Sequence, residues 1–350
     1  MPVSRTVIAS TLLLVISAAA TTVWAINLQQ AGKEEKQREQ PRRHRVTREE
    51  LLKNYDLSNP IIDIDKLLAP GVDKDGIPAL TNPRRVKVAD SDYPANPEAR
   101  VVEVTAGGQV VAYPLGILNW HEIANDVVGD MPVAVTYCPL CDSVAVFDRR
   151  ITSQDENGKA TVRTLEFGVS GLLYNSNVVM YERHNMGLWS QVYMRAVTGP
   201  DSGTMLKSLP VRMMTWEEFK KAHPDGEVLS TDTGHDRPYN ANPYEGYLKS
   251  DRVFGQFDFG HALPPKTLGV GIAAGDFVTF ITADAMPGGK ATVHTPGGDV
   301  QIVHEDAGFR VVDKPENVAA LQTFYHSWSA YYPDTKIITE PAAKAQTEGN

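Results

Sequence analysis

The sequence predicts an α+β protein, β-rich with several short helices, in two related halves that follow an N-terminal apolar helix. Three observations carry this expectation. Short β-prone runs alternate with glycine and proline turns, isolated helix signals have recognisable starts and stops, and a weak internal repeat links the two parts of the chain.

In chain order, Val101-Val102-Glu103-Val104, Gly107-Gly108 and Val110-Val111-Ala112-Tyr113 read as a hairpin with a glycine turn. Residues 114–128 have helical spacing, with Ile117, Leu118, His121, Ala124, Asn125 and Val128 on one face. Residues 131–137 and 143–149 are β-rich runs on either side of Cys138 and Cys141. Thr215-Trp216-Glu217-Glu218 is a capping box, opening a helix that must stop before Pro224. The repeat pairs Phe219 to Asp225, followed by Val228-Leu229, with Trp328 to Asp334, followed by Ile337-Ile338. Each copy is an aromatic-bearing helix, a Pro-Asp stop and a strand. A second glycine hairpin at Ala274-Gly275 adds to the parallel. The expected halves are 84–249, which holds the whole cysteine region, and 250–341, with a lead-in at 55–83 and a tail at 342–350.

Residues 6–28 carry no charge and follow Arg5, a length that suits a membrane anchor or a signal peptide. Ala18-Ala19-Ala20 and Val23-Trp24-Ala25 have the small residues of a cleavage site. Residues 29–54 form a charged linker around KEEKQREQPRRHR. Counting its basic residues by the positive-inside rule would keep the domain in the cytoplasm. The signal-like form of residues 1–28 favours the periplasmic or extracellular side, with the membrane as partner through this segment.

A net charge of −9 leaves no basic surplus for phosphates, so nucleic acid is not an expected partner. The two cysteines of the 350-residue chain exclude a disulfide-stapled scaffold, a four-thiolate zinc site and a cysteine-ligated cluster. What remains is one dithiol, Cys138-Pro139-Leu140-Cys141. Several familiar sites fail on spacing. Asn125 stands where a metalloprotease helix has its second His, Asp142 where haem attachment needs His, and His121 and Glu122 are adjacent rather than spaced as His-x-Glu.

A thioredoxin-type pair would open a helix, whereas β-rich runs flank this one, as in a metal-binding knuckle. His121 is the leading third ligand beside Cys138 and Cys141, for zinc or copper. Glu122 and Asp126 would then orient the ligands, with Glu122 and Ser170 as candidate catalytic groups. Equally open are thiol–disulfide exchange by the pair and a structural clip in a module that binds an unidentified small molecule. Ser170, Asn175, Trp189 and Gln191, with Asn125 and Asp126, are candidate pocket residues; glycine turns and an aromatic core contact explain the same cluster equally well. Tyr239, Tyr244 and Tyr247 read as an ordered loop, and Phe324, Tyr325 and Trp328 as a core helix.

The ordered motifs Ala112-Tyr113-Pro114-Leu115, Leu118-Asn119-Trp120-His121-Glu122, Thr136-Tyr137-Cys138-Pro139-Leu140-Cys141, Phe167-Gly168-Val169-Ser170-Gly171 and Leu188-Trp189-Ser190-Gln191 resemble those of an uncharacterised bacterial and archaeal family, domain-of-unknown-function family 3179. The resemblance spans roughly residues 75–339. Asp142 departs from the glycine usual after the second cysteine. The resemblance implies no reaction, fold or cofactor.

Overall fold

The computed structural model describes residues 46–154, 159–255 and 257–340. The expected apolar N-terminal helix, residues 29–45 of the charged linker and the tail at 342–350 lie outside them, whereas linker residues 46–54 fold against the core through buried Leu51. The described residues form one compact unit. Among the described residues, no helix is long and apolar enough to cross a membrane.

Helix α1 (Arg48–Leu52) opens the described chain with a Thr47–Glu50 capping box. Strands β1 (Leu80–Thr81) and β2 (Arg85–Lys87) lead to the expected hairpin, β3 (Arg100–Ala106) and β4 (Gln109–Pro114). Its turn residues Gly107 and Gly108 take φ of 54° and 74°, which only glycine adopts freely. Helix α2 (Leu115–His121) precedes β5 (Ile123–Val128), β6 (Met131–Cys138) and β7 (Ser143–Asp148). A ribbon of β8 (Arg150–Gln154) and β9 (Ala160–Thr164) joins these to β10 (Phe167–Tyr174), β11 (Asn177–Glu182), β12 (Leu188–Ser190) and β13 (Arg195–Ala196). Next come β14 (Arg212–Thr215), α3 (Trp216–Ala222), β15 (Glu227–Leu229) and the short α4 (Glu245–Leu248). The chain continues through β16 (Leu268–Ala274), β17 (Phe277–Thr282), β18 (Lys290–Thr295), β19 (Gly298–Glu305), β20 (Gly308–Asp313) and β21 (Ala319–Phe324). It ends in α5 (Tyr325–Tyr331) and β22 (Lys336–Ile338).

This is not the expected α+β architecture. The strands form five sheets of three to five members, arranged like the blades of a propeller, plus the β8–β9 ribbon. No described helix exceeds seven residues, and none builds a layer. The helical spacing of residues 114–128 misleads for a local reason. The helix stops at His121 because Glu122 takes φ +55°, and Ile123 to Val128 pairs with β6 instead. Ile123, Ala124 and Val128 are buried in both readings, and apolar spacing alone does not separate them.

Two sheets share a strand plan. In the order β14-β3-β4-β15-β2, a hairpin is flanked by an antiparallel strand on one side and a parallel one on the other. In β21-β16-β17-β22 the same pairings recur. Each plan has a seven-residue helix between its outer strands, docked in the same way. Trp216 N donates to Ala99 O and Glu217 N to Pro97 O; Tyr325 N donates to Thr267 O and His326 N to Pro265 O. The chain between β4 and β14 supplies the sheet β10-β11-β12-β13 and three strands of β1-β5-β6-β7, and the chain between β17 and β21 supplies β18-β19-β20.

The sheet β1-β5-β6-β7 is buried on both faces. Alternation along β6 sends Ala134 and Cys138 into one core, with Trp189, Phe167 and Trp328, and sends Val133, Val135 and Tyr137 into another, with Tyr113 and Leu118. The cysteine turn therefore projects from the middle of the molecule.

Candidate functional site around the cysteine turn

Cys138 is the last residue of β6 and pairs with Ser143, the first of β7. The four residues between them make a tight turn closed by Cys141 N donating to Cys138 O, 3.2 Å. This strand–turn–strand setting is the one expected from the flanking β-rich runs. Asp142 takes φ +46°, a left-handed conformation that disfavours a side chain. Its carboxylate secures the turn nonetheless. Arg100 makes two 2.8 Å bonds to it and the Tyr137 hydroxyl donates at 2.9 Å. The turn is clamped from the other side, where Phe324 N donates to Cys141 O and Gln322 Nε2 to Asp142 O.

Both cysteines are free thiols, 1% and 0% exposed. Their sulfurs share one acceptor, the Ser176 carbonyl in the β10–β11 turn, at 3.8 Å from Cys138 and 3.0 Å from Cys141. The surroundings make the two inequivalent. Burial pushes the Cys138 thiol well up, and the neighbouring Cys141 reinforces that. Burial acts the same way on Cys141, but the neighbouring Cys138 and His326 override it and hold this thiol below its ordinary range. Cys141 therefore releases its proton first.

His326, the second residue of α5, is fully buried. Its Nδ1 lies 3.0 Å from Pro265 O, and because a carbonyl can only accept, Nδ1 carries a proton. The Nε2 atom is buried without a hydrogen-bond partner, and the ring is near enough to Cys141 to lower its thiol. Ser327 adjoins the same sulfur and donates through Oγ to Asn175 O. Glu122 completes the cluster. Burial raises its carboxyl to about 8, against a hydrogen bond from the Tyr244 hydroxyl, 3.3 Å from Oε1, that works the other way.

A strap over residues 230–255 lies against this cluster. Tyr239 Oη bonds His121 Nε2 at 2.7 Å, Tyr244 Oη reaches Glu122, and Tyr247 Oη donates to Leu140 O at 2.9 Å. These three tyrosines, expected only to belong to an ordered loop, tie that loop to the cysteine turn and its neighbours.

The expected metal trio does not assemble. Both His121 nitrogens are engaged, Nδ1 donating to Pro78 O at 2.7 Å and Nε2 accepting from Tyr239. Burial lowers this imidazole to about 4, so it stays neutral and fully bonded. Among the described residues, no group of three or more His, Cys, Asp or Glu side chains is placed to hold a metal ion.

The other candidates hold the sheets together. Asn125 Nδ2 donates to Leu80 O and Phe167 O while its Oδ1 accepts from Phe167 N, joining two sheets. Asp126 accepts from the Tyr113 hydroxyl and Val127 N. Ser170 sits in the β10 bulge, with its hydroxyl between Val179 O and Leu172 N. Gln191 binds Ser143, Asn177 and Thr136 in a buried network. Trp189 packs edge-on to Phe167 with its Nε1 unpartnered, and Asn175 Nδ2 donates to Ala330 O.

His326 and Ser327 are the residues that sequence reasoning missed. They lie between Phe324, Tyr325 and Trp328, a run read as core. The usable signal is a histidine inside an otherwise aromatic helix start, at the position where the repeat places Glu217.

The model of a family described as "Protein of unknown function (DUF3179)" matches residues 74–319. The chain belongs to that family. The matched region of this DUF3179 protein includes Glu122, Cys138 and Cys141 and ends before His326, so it is shorter at the C-terminal end than the motif resemblance implied. No curated protein and no solved structure matches the chain.

Proposed function

We propose that this DUF3179 protein is a thiol–disulfide exchange protein in which Cys141 is the attacking sulfur and Cys138 the resolving one. The observation that carries the reading is the buried, otherwise unpartnered Nε2 of His326 beside Cys141, with the ring oriented by Pro265 O. A thiolate needs such a partner in a dry site, and a thiol that only fills a core does not.

The chemistry runs as follows. Cys141 thiolate attacks one sulfur of a substrate disulfide, an S–S bond forms to the protein, and one substrate thiolate leaves and takes up a proton. Cys138 then loses its proton, attacks the Cys141 sulfur and expels the second substrate thiol. Two electrons pass from the protein dithiol to the substrate, and a Cys138–Cys141 disulfide remains. Because both sulfurs are buried under the strap, access requires residues 230–255 to lift away from Glu122 and Leu140. Export, proposed from the form of residues 1–28, would place the pair where disulfides persist.

The test is equilibration of the purified protein with glutathione buffers of graded ratio, followed by acid quench, alkylation and mass analysis. The reading expects a cooperative change from two alkylated thiols to none, and a trapped mixed disulfide in Cys138→Ser but not in Cys141→Ser. Two free thiols at every ratio would overturn it.

A further inference from the structure

Between the β12–β13 turn and the β16–β17 hairpin opens a cleft of about 550 Å³, a volume in the range of small-molecule sites. None of the residues placed at the cysteine turn lines it. Its walls include Tyr193 and Tyr332, half-buried rings that meet edge to face with centroids 5.6 Å apart. Ile61 and Met205, 50% and 39% exposed, extend this apolar surface to the rim.

The cation in the cleft has no anion against it. Arg195 is half-buried, and its one hydrogen bond runs from Nε to Tyr193 O at 3.3 Å. Arg48, Arg100, Arg163 and Arg212, also half-buried, each meet a carboxylate. A guanidinium partly withdrawn from water without such a partner is unfavourable. The two Nη groups of Arg195 meet no acceptor among the described residues and are not sealed from solvent, so they remain a two-donor fork. Tyr332 Oη is in the same position, whereas Tyr193 Oη donates to Tyr331 O at 3.2 Å. Burial and the neighbouring Tyr193 raise the Tyr332 phenol, against the nearby Arg195 charge, so it stays a protonated donor.

The hairpin side carries the opposite sign. Asp276, in the β16–β17 turn, is exposed and makes no ion pair among the described residues. A simple anion at Arg195 would face Asp276 with like charge, and a neutral molecule would leave Arg195 unpaired. A molecule with one negative end, one positive end and an apolar body meets both charges and both rings.

We propose that this cleft binds a short apolar peptide with both termini free. Its carboxylate takes the Nη fork of Arg195 and the Tyr332 hydroxyl, its ammonium group faces Asp276, and its side chains lie on Tyr193, Met205 and Ile61. The reading is independent of the thiol chemistry and involves no electron or group transfer.

The experiment is calorimetric titration of the purified protein with leucyl-phenylalanine and leucyl-alanyl-phenylalanine. The N-acetylated and the C-amidated forms of each serve as controls. Arg195→Met, which keeps an apolar stem and removes the fork, and Tyr332→Phe, which removes only the hydroxyl, are measured alongside. At least one free peptide is expected to bind, and blocking either terminus to weaken it about tenfold or more. Arg195→Met is expected to weaken it about tenfold or more, and Tyr332→Phe about fivefold, as befits one hydrogen bond to a carboxylate. Should Arg195→Met fail to fold, Tyr332→Phe decides. No binding by either free peptide, equal binding of a blocked form, or equal binding by wild type and the folded variants would each overturn the proposal.

Discussion

Replacing Glu122 by Gln is expected to change how the stability of the protein depends on pH. Glu122 is 6% exposed and burial raises its carboxyl from 4.5 to about 8. The folded state therefore favours the protonated form, and the unfolded chain favours the carboxylate above pH 4.5. The sign follows from linkage: the contribution of this group is fully present below pH 4.5 and is lost as pH rises to about 8. The slope is about 1.4 kcal/mol per pH unit, and the full difference is of the order of 5 kcal/mol. Glutamine keeps the shape and can still accept from Tyr244 while never ionising. Cys141 works in the opposite sense, adding stability as pH rises toward 9, so the informative quantity is the difference between wild type and variant. Urea unfolding at pH 5, 6.5 and 8 measures it. Glu122→Gln should gain on wild type steadily across that range. Parallel curves for the two proteins would show that Glu122 is ionised in the fold and would refute the argument from burial.

The clamp at Asp142 gives a second expectation. Asp142→Ala leaves the part-buried Arg100 without its anion and should cost about 2–3 kcal/mol in chemical denaturation, whereas Asp142→Gly, which relieves the φ of +46°, should cost roughly 1 kcal/mol less; the reverse order would contradict the account of the turn. Gly271→Ala places a methyl 2.1 Å from the Trp328 ring and should destabilise by about 3 kcal/mol or more, seen as a lower Tm. Gly116→Ala meets Tyr93 Oη at 2.0 Å and the Tyr239 carbonyl at 2.8 Å, so it should loosen the strap and speed alkylation of the cysteines in native protein; an unchanged rate would separate the strap from cysteine access. His326→Gln should move the pH midpoint of Cys141 alkylation upward, and an unmoved midpoint would remove His326 from the site.

Much of the local structure was legible in the sequence because it rests on local rules. The glycine hairpin, the Thr215 capping box and the β-rich runs around the cysteines all depend on residues within a few positions of one another. The fold class was not legible in the same way. Helix α2 and strand β5 form one continuous apolar run, and only the left-handed backbone at Glu122 divides them. The arrangement of sheets as blades depends on pairings such as β14 with β3, over a hundred residues apart.

The site was legible by half. A single Cys-x-x-Cys and an adjacent Glu mark a place for chemistry, and the structure puts Glu122 against that pair. His121 was misread because a helix of seven residues points it at Pro78 and Tyr239 rather than at the sulfurs. His326 lies 185 residues after Cys141 in sequence, and only the docking of β21 onto the cysteine turn brings it there. Asn125 and Gln191 drew attention as polar groups in apolar surroundings. They are polar because sheets meeting face to face leave backbone groups that an amide must satisfy.

The central claim is that Cys138 and Cys141 interconvert between dithiol and disulfide with Cys141 as the reactive partner. Counting alkylated thiols by mass after equilibration across glutathione ratios tests it most directly. The account predicts loss of both thiols together at one midpoint, with a mixed disulfide captured in Cys138→Ser alone. Two thiols that persist across the whole series, or capture in Cys141→Ser instead, would contradict it.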